Sequence, residues 1–185
     1  LESRKTISTE DLDASLGFWL SFLKEDRFIA LRAYLQENSF EYLVKRLGGE
    51  IKLNRILVYG TLKSGTKKHE EFGLNKCSTS LGFRDIPGEM FAVNSAYPGA
   101  NLSLDVIFSN FNVPKYETFK CELLEIDSNK IGISELLKKL DDYENEGDTQ
   151  EYRRYLIPCD GATAWIYDYI EETELHEKIE SGFWD

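Results

Sequence analysis

The chain has 185 residues and carries 22 lysines and arginines against 33 aspartates and glutamates, a formal net charge of −11 at pH 7. With 42% hydrophobic and 13% aromatic residues it holds enough apolar material for a sizeable core, which argues against wholesale disorder. Acidity without a clustered basic stripe argues against a nucleic-acid binder, and interrupted apolar runs such as 16–23, with Ser21 inside, fall far short of the roughly 20 residues of a membrane span.

Residues 8–47 read as helical. Leu12, Leu16, Trp19, Leu20 and Leu23 recur every three or four positions, the pattern resumes through Phe28, Leu31 and Leu35, and a third segment aligns Phe40, Leu43, Val44 and Leu47. Gly48-Gly49 supplies a helix stop, so residues 1–50 are expected to form an all-helical extension ahead of a second domain, 51–185. Its apolar faces, with Trp19, Phe22, Phe28 and Phe40, exceed what three short helices cover among themselves. They are expected to pack on the second domain, on a second copy in a homo-oligomer, or on a protein partner.

After the glycines the period becomes strand-like. Residues 55–59, 88–93, 119–126, 152–157 and 162–170 are short β-branched or aromatic runs separated by Gly, Pro, Asn and Asp. Trp165, Tyr167 and Tyr169 fall on one strand face, which reads as core. One helix is expected at 134–143 and a second, short and acidic, at 173–179, giving an α+β domain.

Two places carry candidate chemistry. In Tyr59-Gly60-Thr61-Leu62 a buried-looking strand ends in a glycine turn, whose backbone N–H groups are suited to cradling a carboxylate or an oxyanion. In the helix, Leu136, Leu137 and Leu140 define the apolar stripe, and Glu144 continues it where a hydrophobe would be expected. Partial burial and the negative end of the helix dipole both raise the pKa of such a carboxyl, which suits proton transfer near neutrality. The same pattern also fits a frayed last turn with Glu144 in solvent. Asp141 and Asp142 fall nearer Lys138, on the side that reads as wet. The segment 96–100, Ala-Tyr-Pro-Gly-Ala, reads as a β-turn that could also wall a pocket.

Cys77, Cys121 and Cys159 are an odd number with no C-x-x-C spacing, which fits a reducing cytosol, and with His69 and His176 they lack zinc-site spacing, so no metal is expected. No G-x-S-x-G, P-loop or G-x-G-x-x-G occurs. Leu1 opens the sequence and Met90 is its sole methionine, so the natural start is expected to be trimmed or to lie upstream.

Val58-Tyr59-Gly60-Thr61-Leu62-Lys63-x-Gly65, Tyr97-Pro98-Gly99, Leu140-Asp141-x-x-Glu144, Tyr152-Arg153-Arg154 and Ala164-Trp165-Ile166-Tyr167, in that order, resemble the γ-glutamylcyclotransferase-like family, which includes γ-glutamylamine cyclotransferases. The closing Ser181-Gly182-Phe183-Trp184 is similar to that family's usual Gly-x-Trp, and the resemblance begins near Leu53. It implies a small mixed β-barrel with flanking helices, a loop at Tyr59, Gly60, Thr61 and Leu62 that binds the γ-glutamyl group of a small-molecule substrate, and Glu144 as acid/base. It further implies release of 5-oxoproline and an amine without any cofactor, in a cytoplasmic enzyme. Three places depart from the family pattern: Lys68-His69 where asparagine-histidine is usual, Asn145 where glycine is usual, and a longer link at 101–115. The alternative is a binding or regulatory module on the same scaffold, with the helical extension docking a partner. A third reading is an acylamine lyase acting on a different γ-glutamyl intermediate.

Overall fold

The computed structural model describes residues 50–103, 107, 116–144, 151–171, 173 and 176–184, so the helices expected within 8–47 lie outside the described residues. The described chain runs through β1 (Arg55–Val58), helices α1 (Lys67–Glu71) and α2 (Leu74–Cys77), β2 (Ser78–Val93), β3 (Tyr97–Leu102), β4 (Thr118–Ile126), α3 (Ile133–Glu144), β5 (Tyr152–Cys159), β6 (Ala162–Tyr169) and β7 (Glu177–Lys178). The strands form one mixed sheet in the order β3-β2-β4-β1-β6-β5, with β7 added to β2. β1 lies between an antiparallel partner, β4, and a parallel one, β6, where Ile56 pairs with Trp165. With both edges covered, its Ile56, Leu57 and Val58 are buried, as a central strand of β-branched and aliphatic residues requires.

The sheet curls into a half-barrel because β2 serves two partners. Its first half pairs with β4 and its second half, from Gly88, with β3, after a register shift between Ser80 and Phe83 that bends the strand. The two ends of the sheet then meet through side chains. The Tyr152 hydroxyl of β5 donates to the Pro98 carbonyl of β3 at 3.0 Å, and Asp168 of β6 accepts the Leu102 N–H at 2.7 Å. The expected barrel is therefore a curled sheet whose seam is closed by side chains rather than by a ladder. Leu136, Leu137 and Leu140 of α3 are buried, as their spacing predicts. Among the described residues no helix is long and apolar enough to cross a membrane.

Three local expectations are corrected. Residues 97–100 are not a turn: the turn runs from Val93 to Ala96, with left-handed backbone at Asn94 and Ser95, and Tyr97 onward is strand β3. Residues 177 and 178, expected in a helix, are strand β7, paired with Ala92 and Phe91. The strand expected at 88–93 begins ten residues earlier, at Ser78, because its outer half is exposed and carries glycine and proline, which hide the alternation.

The segment after β7 closes the fold. Ile179 N–H donates to Met90 O at 2.8 Å, and Lys120 N–H to Gly182 O at 2.7 Å. Gly182 has φ +61°, and a Cβ there would meet the Thr118 carbonyl at 2.6 Å. Gly182→Ala is therefore expected to cost about 1–3 kcal/mol, read as a lower urea midpoint.

Candidate active site

The end of β1, the seam strand β3 and the last turn of α3 converge on a cavity of about 300 Å³. Tyr59, Gly60, Thr61, Leu62, Tyr97, Pro98, Tyr143, Glu144, Glu151, Tyr152 and Tyr167 all line it. The four residues of the glycine turn and Glu144 thus reach one small space, at the low end of the volumes that hold small ligands.

The turn 59–62 is held by its carbonyls. Gly60 O accepts Lys63 N–H at 3.2 Å, Thr61 O accepts the Thr66 hydroxyl, and Leu62 O lies 2.8 Å from His69 Nδ1. Thr66 also caps α1, accepting the His69 N–H at 3.2 Å, so one short helix fixes both supports. Downstream, the buried carboxylate of Glu122 accepts the Ser64 N–H at 2.7 Å. Burial alone would push Glu122 up, but hydrogen bonds from Ser80 and Ser64 hold it below the usual carboxylate value. Lys63 donates to the Trp184 carbonyl and lies 4.0 Å from the centre of the Phe183 ring. With the carbonyls spent in this way, the N–H groups of Gly60, Thr61 and Leu62 have no acceptor among the described residues. Three such donors in one turn make a ready anion cradle. Gly60 is required there, because a Cβ would stand 2.7 Å from Pro98 Cγ.

Glu144 ends α3 half-buried, with no hydrogen bond or ion pair among the described residues. Burial, reinforced by the negative charge of Asp141, pushes its carboxyl up to about 8. Neighbouring Tyr143 ties the helix end to the turn, its hydroxyl lying 3.0 Å from Thr61 Oγ1. Tyr59 is buried edge-on against Phe119, their ring centres 5.5 Å apart, and its hydroxyl finds no partner among the described residues. Burial holds that phenol, and those of Tyr152 and Tyr167, well above their ordinary value, so all three are neutral in the working range. On the far wall the Tyr97 hydroxyl donates to Glu151 at 2.7 Å, and burial pushes Tyr97 up to about 12.

Some of these residues are less legible in the sequence alone: Tyr97 and Pro98 lie inside the turn-like pentapeptide 96–100, named above as a possible pocket wall, and Glu151 and Tyr152 give no local periodic signal. Asp141, assigned above to the wet side, is instead ion-paired with Arg154 of β5 and hydrogen-bonded to Tyr167 of β6. His69, the member of the Lys68-His69 pair that keeps the family pattern, supports the Leu62 carbonyl from a buried position. Among the described residues no group of three or more His, Cys, Asp or Glu side chains could hold a metal ion.

The family described as gamma-glutamyl cyclotransferase, AIG2-like, matches residues 56–185. A protein of Vibrio cholerae, provisionally named a gamma-glutamylcyclotransferase, is 29% identical over 130 residues, covering 70% of this chain and 93% of its own. Among solved structures, protein ytfP of Escherichia coli shares 29% identity over 70% of this chain and 95% of its own, with a TM-score of 0.47. An AIG2-like protein of Mus musculus shares 20% identity over 69% and 86%, with a TM-score of 0.45.

Proposed function

The chain belongs to the gamma-glutamyl cyclotransferase, AIG2-like family, and from that premise we propose that it converts a γ-glutamyl compound to 5-oxoproline and a free amine, with Glu144 as acid/base. The observation that carries the reading is the pairing, in one cavity, of an unpartnered carboxyl raised to about 8 with a turn whose three N–H groups lack acceptors.

The chemistry follows from that pairing. A γ-glutamyl α-ammonium arriving beside Glu144 favours the charged form of the carboxyl, so substrate binding itself generates the base. Glu144 takes one proton, and the freed amine attacks the γ-carbonyl carbon, forming the C–N bond of a five-membered ring. The N–H groups of Gly60, Thr61 and Leu62 stabilise the negative oxygen of the tetrahedral intermediate or the substrate carboxylate. Collapse breaks the bond to the leaving nitrogen. The two protons shed by the ring nitrogen finish on the departing amine, delivered through Glu144, so nothing further is consumed. Holding the chain bent in a small cavity removes much of the entropic barrier to ring closure.

The test is to incubate the full chain with γ-glutamyl amino acids, γ-glutamyl amines, γ-glutamyl-lysine and glutathione, and to assay 5-oxoproline. Release from one of these compounds supports the reading. Binding of several without release overturns it in favour of a binding module.

A further inference from the structure

The end of α3 runs against the physical chemistry of helices. Its last turn carries Asp141, Asp142 and Glu144 and no basic residue, although the unpaired carbonyls there favour cations and disfavour carboxylates. The missing cation comes from the sheet. Arg154 of β5 places Nη1 3.0 Å from Asp141 Oδ2, and its guanidinium lies 4.8 Å from the centre of the Trp165 ring, which holds it in place. The other oxygen of Asp141 accepts the Tyr167 hydroxyl of β6 at 2.7 Å. Tyr167 lines the cavity together with Glu144, which lies three residues beyond Asp141 and so on the same side of the helix. A helix end with a locally unfavourable residue, corrected by two strands at the edge of a cavity, is the kind of conflict that functional sites retain.

We infer that Asp141 is a positioning residue: clamped by Arg154 and Tyr167, it seats the last turn of α3 on the cavity wall and sets the charge that Glu144 faces. The inference rests on the cyclotransferase reading only for what Glu144 does. The groups facing Glu144 are Asp141 from its own helix, Tyr59 from the turn after β1, Tyr152 from β5 and Tyr167 from β6, with Glu151 on the same cavity. The tyrosines are neutral, so the charges around Glu144 are the Asp141–Arg154 pair behind it and Glu151, which the Tyr97 hydroxyl binds on the far wall.

The test reads Glu144 directly by carbon-13 NMR titration of side-chain carboxyls in the full chain, its resonance identified by loss in Glu144→Gln. Asp141→Asn keeps an oxygen for the Tyr167 hydroxyl and removes the negative charge while Arg154 stays. The Glu144 midpoint should fall by about 0.5–1 pH unit. Arg154→Met removes the cation and should raise the midpoint by a similar amount, with the double variant between the two. The acid limb of kcat/KM should move in the same directions. A purely structural clamp would lower the Tm of both single variants and shift neither midpoint; that result, or shifts in one common direction, overturns the inference. Should Arg154→Met fail to fold, the near-isosteric Asp141→Asn decides alone: a lowered midpoint supports the inference and an unmoved one overturns it. Opposite shifts in a chain that makes no 5-oxoproline would end the cyclotransferase reading and leave this one standing. Turnover with unmoved midpoints would do the reverse.

Discussion

Glu144→Gln is expected to lower turnover by about 10²-fold or more while leaving ligand binding largely in place, because it keeps the shape and reach of the side chain and removes its basicity. The same substitution should stabilise the protein at alkaline pH. A carboxyl raised to about 8 in the fold, against an ordinary value of 4.5, holds a proton in the native state that the unfolded chain has already lost. Native stability therefore falls as pH climbs through that window. Asp168, pushed up to about 7 by burial, contributes in the same direction over a lower range. Thermal melts at pH 5 and pH 8 check this: the wild type should lose more between the two than Glu144→Gln, which retains only the Asp168 contribution. A variant with unchanged 5-oxoproline formation would remove Glu144 from the mechanism.

Gly60→Ala carries the second large effect. The added Cβ would stand 2.7 Å from Pro98 Cγ, and Pro98 has nowhere to go. Its strand is paired to β2 at Ala92, and its carbonyl takes the Tyr152 hydroxyl. The turn must yield instead, moving the three N–H groups away from the position that a reacting oxygen would occupy. A displacement on the order of 1 Å in such a site lowers kcat/KM by about 10²-fold, and the overpacking should cost about 1–3 kcal/mol. Adding Pro98→Ala makes room for the methyl group and should recover part of both losses. No recovery in the double variant would show that the methyl group disturbs the turn by some route other than its contact with Pro98.

Local periodicity made much of this visible in the sequence. The leucines of α3 and the carboxyl that extends their stripe report helix geometry directly, and the hydrophobic run ending in Tyr-Gly-Thr-Leu reports a central strand that stops abruptly. Asp141 reads as a solvent-facing residue because nothing within its own helix pairs with it, and the two residues that bind it lie on strands that follow in the chain. Tyr97 and Pro98 read as a turn because proline and glycine are local breakers, whereas β3 lies at the edge of the sheet path, where proline is tolerated. The outer half of β2 is exposed and interrupted, so neither alternation nor burial marks it. Short-range rules thus reveal the parts of the site that are made by one element and miss those made by the meeting of two.

The tie between Lys63 and Trp184 spans 121 positions of the chain, and it imposes an order on synthesis. At a translation rate of about 5–20 residues per second, the anion-cradling turn leaves the ribosome on the order of ten seconds before the segment that buttresses it. In that interval β1 acquires its antiparallel neighbour β4 first and its parallel neighbour β6 later. Such non-local pairing places the domain among slow folders. The candidate site is consequently the last part of the molecule to mature, and a released chain truncated before residue 176 would have most of its sheet but an unsupported turn.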